Sequence, residues 1–320
     1  MASYQFTSDI LSDVLLRCGE KNDTSSDFYS IALSYINKAY LGVCNGFSFI
    51  DPDACIDWYW ARKTGNIVLN RVIEVGTVSV TENSNTIIFS SPPSVALGDS
   101  NYSLFSRYIF KVEGHDDIFV IITHVGGNAT ATLDSVYTGD TAATANYKVF
   151  KVEYNLAADV NRLITPFNIF QTDKKVEYLD QERFEGKYPI RDISGGIPTK
   201  FTVVQNNRVR FNYYCKADNY IRVDYSYIYQ PSNLTNVASE EPIIPHRYRS
   251  ILSDIAAYFI FMDKNDDRAD SAMLAAKATF KAMIQDNNRW LSKLGINVGM
   301  IFPRPIRISL SEDRSYYKIR

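Results

Sequence analysis

Between Asp27 and Cys44 the apolar residues Ile31, Ala32, Tyr35, Ile36, Ala39, Tyr40 and Val43 return every three or four positions, the spacing that lines one face of an α-helix. Gly46 follows as a stop. A shorter helix is expected over Asp9 to Cys18, with Thr7 and Ser8 as N-cap acceptors and Gly19 suited to the left-handed position after it. The same period returns after Pro245, where Ile251, Leu252, Ile255, Phe259 and Met262 form one stripe. Beyond the acidic turn Asp263 to Asp267, a long helix is expected from about Arg268 to Leu294, with Met273, Ala276, Phe280, Met283, Ile284 and Leu291 on one face and Gly295 ending it. The short turn predicts an antiparallel helical hairpin.

Between these helical ends the period becomes strand-like. Thr77 to Thr81 and Thr86 to Phe89 flank a Glu-Asn-Ser-Asn turn and read as a hairpin. Further strands are expected at Ser106 to Val112, Ile118 to His124, Ala129 to Leu133 and Asn146 to Glu153, with glycine-containing breaks between them. Such a set fits a small β-sandwich or barrel. A second β region follows at Lys175 to Leu179, Lys200 to Gln205, Val209 to Tyr214 and Tyr220 to Tyr229. In the last of these, alternation puts Ile221, Val223, Tyr225 and Tyr227 on one face. The Pro231 to Pro245 stretch reads as a linker.

The expected fold class is therefore α+β: a helical bundle of two N-terminal helices plus a C-terminal helical hairpin, with an antiparallel β region and an inserted small β-sandwich or barrel. The expected domains are 1–70 with 154–296, an insert at 71–153, and an arm at 297–320. The arm carries Pro303, Pro305, alternating Ile306, Ile308 and Leu310, then Tyr316 and Tyr317. It reads either as a segment that orders on a partner or as a last strand on its own domain.

Composition narrows the function classes. The 320 residues hold 34 basic and 36 acidic side chains, a net charge of -2, which disfavours stable wrapping of a phosphate backbone. Aromatic residues make up 13%, including 22 Tyr, a bias toward pleated surfaces and interfaces. Cys18, Cys44, Cys55 and Cys215 lack the spacing of a zinc site or disulfide framework and read as reduced thiols. The first residues lack a signal-peptide pattern, and the longest apolar run, Ile255 to Met262, is far below the ~20 residues that span a bilayer. The expectation is a soluble protein made in the cytoplasm.

Candidate chemistry is sparse. Asp263, Asn265 and Asp267 imitate a calcium loop, but Arg268 and Leu274 stand where such a loop needs Gly and a bidentate Glu, so a solvated helix turn is expected, with Asp267 and Asp270 favouring the next helix N-terminus. His115, Asp116, Asp117 and His124 offer acid-base groups, and a polar hairpin loop is the plainer reading. Tyr213, Tyr214, Tyr220, Tyr225, Tyr227 and Tyr229 would suit a stacking platform or, more simply, core and interface positions. Phosphate-loop, nucleophile-elbow and zinc-protease motifs are not found. No catalytic, metal or cofactor residue is assigned, and the expectation is a protein that is not an enzyme.

The order of segments resembles the head-to-tail adaptor (connector) proteins of tailed bacteriophages. The closest stretches are Ile244 to Arg249, Asp263 to Arg268 and Asp286 to Trp290, which are similar to the family's proline-started helix, acidic turn and helix ending in Asp-Asn-Arg. The Trp58-Tyr-Trp60 segment, Gly76 to Thr81, Leu133 to Asp140 and Asn146 to Phe150 also resemble family features, and Tyr154 to Asp159 resembles the return from the insert, with Ala157 where a proline is usual. The resemblance implies a virion structural protein, assembled in the host cytoplasm and located at the head-tail junction. It implies a ring of identical copies, usually twelve, that binds portal and tail or nozzle proteins, contacts no membrane, and passes DNA through its channel without reading its sequence. Candidate interface residues are Arg247, Arg249, Arg289, Trp290, Ile306, Ile308, Leu310, Tyr316 and Tyr317. The alternative is a virion-associated carbohydrate-binding or cell-wall-degrading tail protein.

Overall fold

The computed structural model describes residues 4–46, 56–98, 108–204, 207–216, 220–235 and 238–293. In chain order the elements are α1 (Thr7–Arg17), α2 (Asp27–Cys44), β1 (Arg62–Leu69), β2 (Val78–Val80), β3 (Thr86–Phe89), β4 (Ile109–Val112), β5 (Phe119–Thr123), β6 (Thr130–Leu133), β7 (Ala142–Ala145), β8 (Tyr147–Phe150) and β9 (Glu153–Asn155). There follow β10 (Val160–Ile169), β11 (Lys175–Tyr178), α3 (Gln181–Lys187), β12 (Gly195–Gly196), β13 (Lys200–Val204), β14 (Arg208–Phe211), β15 (Tyr214–Cys215), β16 (Ile221–Tyr229), α4 (Ser250–Asp263) and α5 (Arg268–Lys293). The class is α+β. Of the described residues, 4–63 and 228–293 form one compact unit and 64–227 a second.

In the first unit α4 packs against α1, α2 and α5. Its nearly continuous apolar run buries residues around most of its circumference, including Ile251, Leu252, Ile255, Ala256, Ala257 and Ile260. The cost of burying Asp254 in this surface is offset by Arg17, whose Nη1 lies 2.6 Å from its carboxylate. The N-cap of α1 is Phe6 rather than Thr7 or Ser8. Thr7 is instead buried, its N–H and hydroxyl both donating to the Glu240 carbonyl at 2.9 and 3.1 Å, while Asp9 accepts from the Phe6 N–H. Gly19 takes the expected left-handed conformation, and Gly46, expected only as a stop, is left-handed too. Ile31 and Met262, expected on buried stripes, are 46% and 51% exposed.

The second unit holds two seven-stranded sheets. The smaller-strand sheet runs β7-β2-β3-β6-β5-β4-β8 with antiparallel pairing throughout. Its edge strands β7 and β8 are separated by Asn146 alone, so the sheet curls until its edges are two halves of one strand, a barrel-like roll that leaves little free edge. Val78, Ile87, Phe89, Phe110, Ile121, Leu133 and Val149 fill its interior. The other sheet runs β1-β16-β10-β11-β13-β14-β9, and the pair β12-β15 is separate.

Two expectations are corrected here. The second β region is not purely antiparallel, because β11 and β13 pair in parallel, Glu177 opposite Lys200. Parallel neighbours need a long crossover, and the stretch containing α3, with Phe184 buried, supplies it. The chain also divides differently from the expected 154–296 domain. Ile109 and Phe150 of the rolled sheet share a core with Val72, Val152 and Tyr214, and the Phe150 and Tyr214 rings stack at 4.5 Å. That contact packs the rolled sheet against the β12-β15 pair within the second unit.

Candidate interaction site

The best-defined cluster of candidate residues lies where α5 meets two short 3₁₀ turns, Tyr59–Ala61 and His246–Tyr248. Its foundation is Trp58, fully buried, whose indole N–H donates to the Val43 carbonyl at 2.6 Å. The ring stacks on Trp60 at 5.5 Å and meets Phe280 edge-on at 5.6 Å. Buried Asn287 then fixes the turn from α5, accepting the Tyr59 N–H at 2.9 Å and donating to the Asp57 carbonyl at 3.1 Å. A side-chain amide has the donor and acceptor needed to satisfy both backbone groups at once.

Held this way, the Tyr59 ring lies nearly parallel to Trp290, centroids 5.1 Å apart. The Tyr59 hydroxyl donates to Asp286 Oδ2 at 3.4 Å, and Arg247 Nη2 donates to the same oxygen. The Arg247 guanidinium also covers the Tyr248 ring at 4.8 Å. Burial, and then the Asp286 carboxylate, push the Tyr248 hydroxyl above its usual range. Arg289 is exposed on the same end of α5 and acts electrostatically on Tyr248. Trp290 is 44% exposed. The result is a surface patch of Trp, Tyr and Arg with two cations against one carboxylate, the composition that dominates binding energy at protein interfaces.

Three of the nine sequence candidates, Arg247, Arg289 and Trp290, are thus brought together. Arg249 is not among them. It is 7% exposed and faces inward: Nε donates to the Ile244 carbonyl at 2.9 Å, Nη1 to the carbonyls of Gln5 and Tyr4, and Nη2 to Glu241 at 3.2 Å. It ties the N-terminal segment to the start of α4. Ile306, Ile308, Leu310, Tyr316 and Tyr317 lie outside the described residues. Tyr59, Tyr248 and Asp286 were not chosen from the sequence, although the Trp58-Tyr-Trp60 run marked the place.

The other candidates are apart from one another or structurally occupied. His124 is buried, its Nδ1 accepting the Leu97 N–H at 3.3 Å and its Nε2 facing the Asn128 carbonyl at 3.0 Å. His115 accepts the Asp117 N–H, while Asp117 takes the Thr138 hydroxyl at 2.6 Å. Asp263 accepts the Tyr35 hydroxyl, Asn265 is left-handed with φ 49°, and Asp266 accepts the Arg268 N–H at 3.0 Å at the start of α5. Among the described residues no cluster of His, Cys, Asp or Glu has the arrangement of a metal site. Tyr225 and Tyr227 are interior, bonded to the Ala157 N–H and to Asp159 at 2.8 Å each. Sequence reasoning gave no warning of half-buried Glu153, which pairs with buried Arg208 at 2.9 Å and Arg210 at 3.2 Å across β9 and β14.

The second unit carries a separate cleft of about 420 Å³ lined by Asn70, Arg71, Ile73, Ser91, Ser94 and Tyr108, among others. Asn70 donates to the Tyr108 hydroxyl at 3.0 Å on its wall. No helix of the described residues is long and apolar enough to cross a membrane. No protein-family model matches the chain, and no curated protein matches it significantly.

Proposed function

We propose that the protein is a virion structural subunit, a head-to-tail adaptor, whose task is binding and geometry rather than catalysis. The observation that carries this reading is the Arg247, Tyr59, Asp286 and Trp290 patch at the end of the α4 and α5 pair. It joins the Trp58-Tyr-Trp60 segment to Ile244 to Arg249 and Asp286 to Trp290, two of the three stretches in which the resemblance to the adaptor family is closest. A planar stack beside a guanidinium suits a protein partner that presents an aromatic edge and a carboxylate. In this reading α1, α2, α4 and α5 form a helical bundle that supplies the wall of a homo-oligomeric ring, usually of twelve copies in such proteins, with portal on one side and tail or nozzle proteins on the other. The rolled sheet is the inserted domain of this reading, and DNA passes the channel without sequence-specific contacts.

The test is to mix the purified protein with portal rings and measure the mass of the complex, with electron microscopy of the product. A stable ring-on-ring complex is expected, weakened at least tenfold in the Arg247→Ala, Trp290→Ala double variant. Failure of the native protein to associate with portal or virions refutes the reading. The cleft beside Tyr108 favours a second reading, a virion-associated carbohydrate-binding module or, with catalysis added, a cell-wall-degrading tail protein. A glycan-array signal lost in an Asn70→Ala, Arg71→Ala variant, or peptidoglycan turnover, would favour that one.

A further inference from the structure

The cleft of about 420 Å³ in the second unit has no part in the patch on α5, and its lining is uneven in charge. Arg71 is the only charged side chain of that lining among the described residues, and it is exposed. No carboxylate pairs with it there, whereas Arg17, Arg208, Arg210, Arg247 and Arg249 all meet carboxylates. Glu74 follows Ile73 in the chain but stays out of the lining and acts on Lys148. A second cation, Lys151, lies 5.6 Å from the centre of the Tyr108 ring, and its acidic neighbour Glu153 is held by Arg208 and Arg210. The cleft therefore offers an uncompensated guanidinium to whatever enters it.

The rest of the lining is divided between polar and aliphatic groups. Asn70 spends its amide N–H on the Tyr108 hydroxyl at 3.0 Å and keeps Oδ1 as an acceptor, and Ser91 and Ser94 are exposed. Ile73, Pro92, Pro93, Val75 and Val95 supply aliphatic surface, with Val75 and Val95 64% and 49% exposed. Such a mixture matches a sugar, which carries hydroxyls at its edge and C–H groups on its faces. A nucleotide needs a ring to stack on and cations for its phosphates, but Tyr108 is only 6% exposed and the lining holds one cation. A fatty acyl chain would leave Asn70 and both serines unused. Both walls are fixed in advance by hydrogen bonds. Ile73 and Val149 exchange N–H to carbonyl bonds at 2.8 Å, the Tyr147 hydroxyl donates to the Val75 carbonyl at 3.0 Å, and the Gly127 N–H donates to the Pro93 carbonyl at 2.8 Å. A preformed cleft of this size, with aliphatic walls and a few polar groups, is the usual form of a small-ligand site.

We propose that the cleft binds a carboxylated sugar, a uronate or sialate residue of a glycan, with Arg71 pairing the carboxylate and Asn70, Ser91 and Ser94 meeting hydroxyls. This rests on the second reading above, that the cleft takes carbohydrate, and adds the acidic class of sugar and the residue that selects it. A guanidinium holds a carboxylate through two parallel charge-assisted bonds, so the selectivity sits in one side chain.

The experiment is isothermal titration calorimetry of the full chain with uronate and sialate oligosaccharides, each beside its methyl ester, which keeps the sugar and removes the charge. Inorganic phosphate serves as a simple anion, and circular dichroism verifies folding. The acids are expected to bind at least tenfold more tightly than the esters, and to weaken at high salt. Arg71→Gln should bring the acids down to the level of the esters and leave the esters within about twofold of the wild type. Arg71→Lys, which keeps the charge and loses the paired bonds, should fall between. Val95→Glu, a new carboxylate at an exposed position of the lining, should weaken the acids more than the esters, and Lys277→Gln on α5 should change nothing. Equal affinity for acids and esters, or acid binding that Arg71→Gln retains, overturns the proposal and leaves the carbohydrate reading in place. Binding of no oligosaccharide in either form overturns both. Phosphate binding as tight as that of the acids also overturns the proposal, because the cleft is then a general anion site.

Discussion

Replacing Arg249 by methionine separates the framework role of this residue from the surface role of Arg247. Methionine keeps most of the aliphatic stem, so the change isolates the guanidinium. The Ile244 residue is fully buried, and its carbonyl loses the Arg249 Nε donor at 2.9 Å. A stranded buried acceptor costs about 1–3 kcal/mol. The bonds to the Gln5 and Tyr4 carbonyls anchor a terminal segment that can turn toward water, and Glu241, with its side chain 49% exposed, is resolvated cheaply. Together these give a loss of about 2–4 kcal/mol. The tryptophans, Trp58, Trp60 and Trp290, all lie in the first unit, so their fluorescence follows its unfolding. With a urea slope of about 2 kcal/mol per molar, the midpoint should fall by roughly 1–2 M. Arg247→Met, at an exposed side chain, should stay within about 0.5 kcal/mol of the wild type. Equal midpoints for the two variants would refute the reasoning.

Other changes probe other parts of the fold. Trp58→Ala removes the ring that joins α2, the Tyr59–Ala61 turn and Phe280, and should cost about 3–5 kcal/mol in the same urea titration. Gly46→Ala places a Cβ 2.2 Å from the Ile56 carbonyl oxygen at a position with φ +75°, so a lowered melting temperature is expected, whereas Gly19→Ala, with open space, should be milder. The Asp266 carboxyl is held at about 2, first by the Arg268 side chain and then by its N–H. Its folded value is lower than its unfolded value of about 3.9, so its stabilisation is present above that pH and is lost as pH falls through about 2. Between pH 4 and 2, Asp266→Asn should therefore show a shallower loss of stability than the wild type, measured by acid titration of the melting temperature.

The local elements with strong periodicity were legible in the sequence. The α2 and α5 starts, the hairpin of β2 and β3, and the alternation of β16 follow from spacing that buries one face whatever surrounds it. What periodicity missed has physical causes. Pro166 interrupts the pattern of β10, because proline argues against a strand interior, yet a ten-residue strand forms around it. In α3 only Phe184 is buried, so no stripe announces a helix that exists to carry β11 to a parallel partner. Ile31 and Met262 fit their stripes by count, but burial depends on where the neighbouring helices end.

The candidate site divides in the same way. Composition marked Trp58 to Trp60 and Arg247 to Trp290 as aromatic and cationic, but Tyr59 and Asn287 are 228 residues apart, and chain pattern does not state that Asn287 will bond the Tyr59 N–H. Arg247 and Arg249 are two residues apart and chemically identical, and only packing decides that one reaches the surface while the other turns inward to bare carbonyls. Sequence alone determined the helical and strand-forming segments and the residue types available for binding, because those depend on near neighbours. The parallel crossover, the packing of the rolled sheet on the β12-β15 pair and the assembly of the patch were decided by tertiary structure, because each rests on contacts between residues the chain keeps far apart.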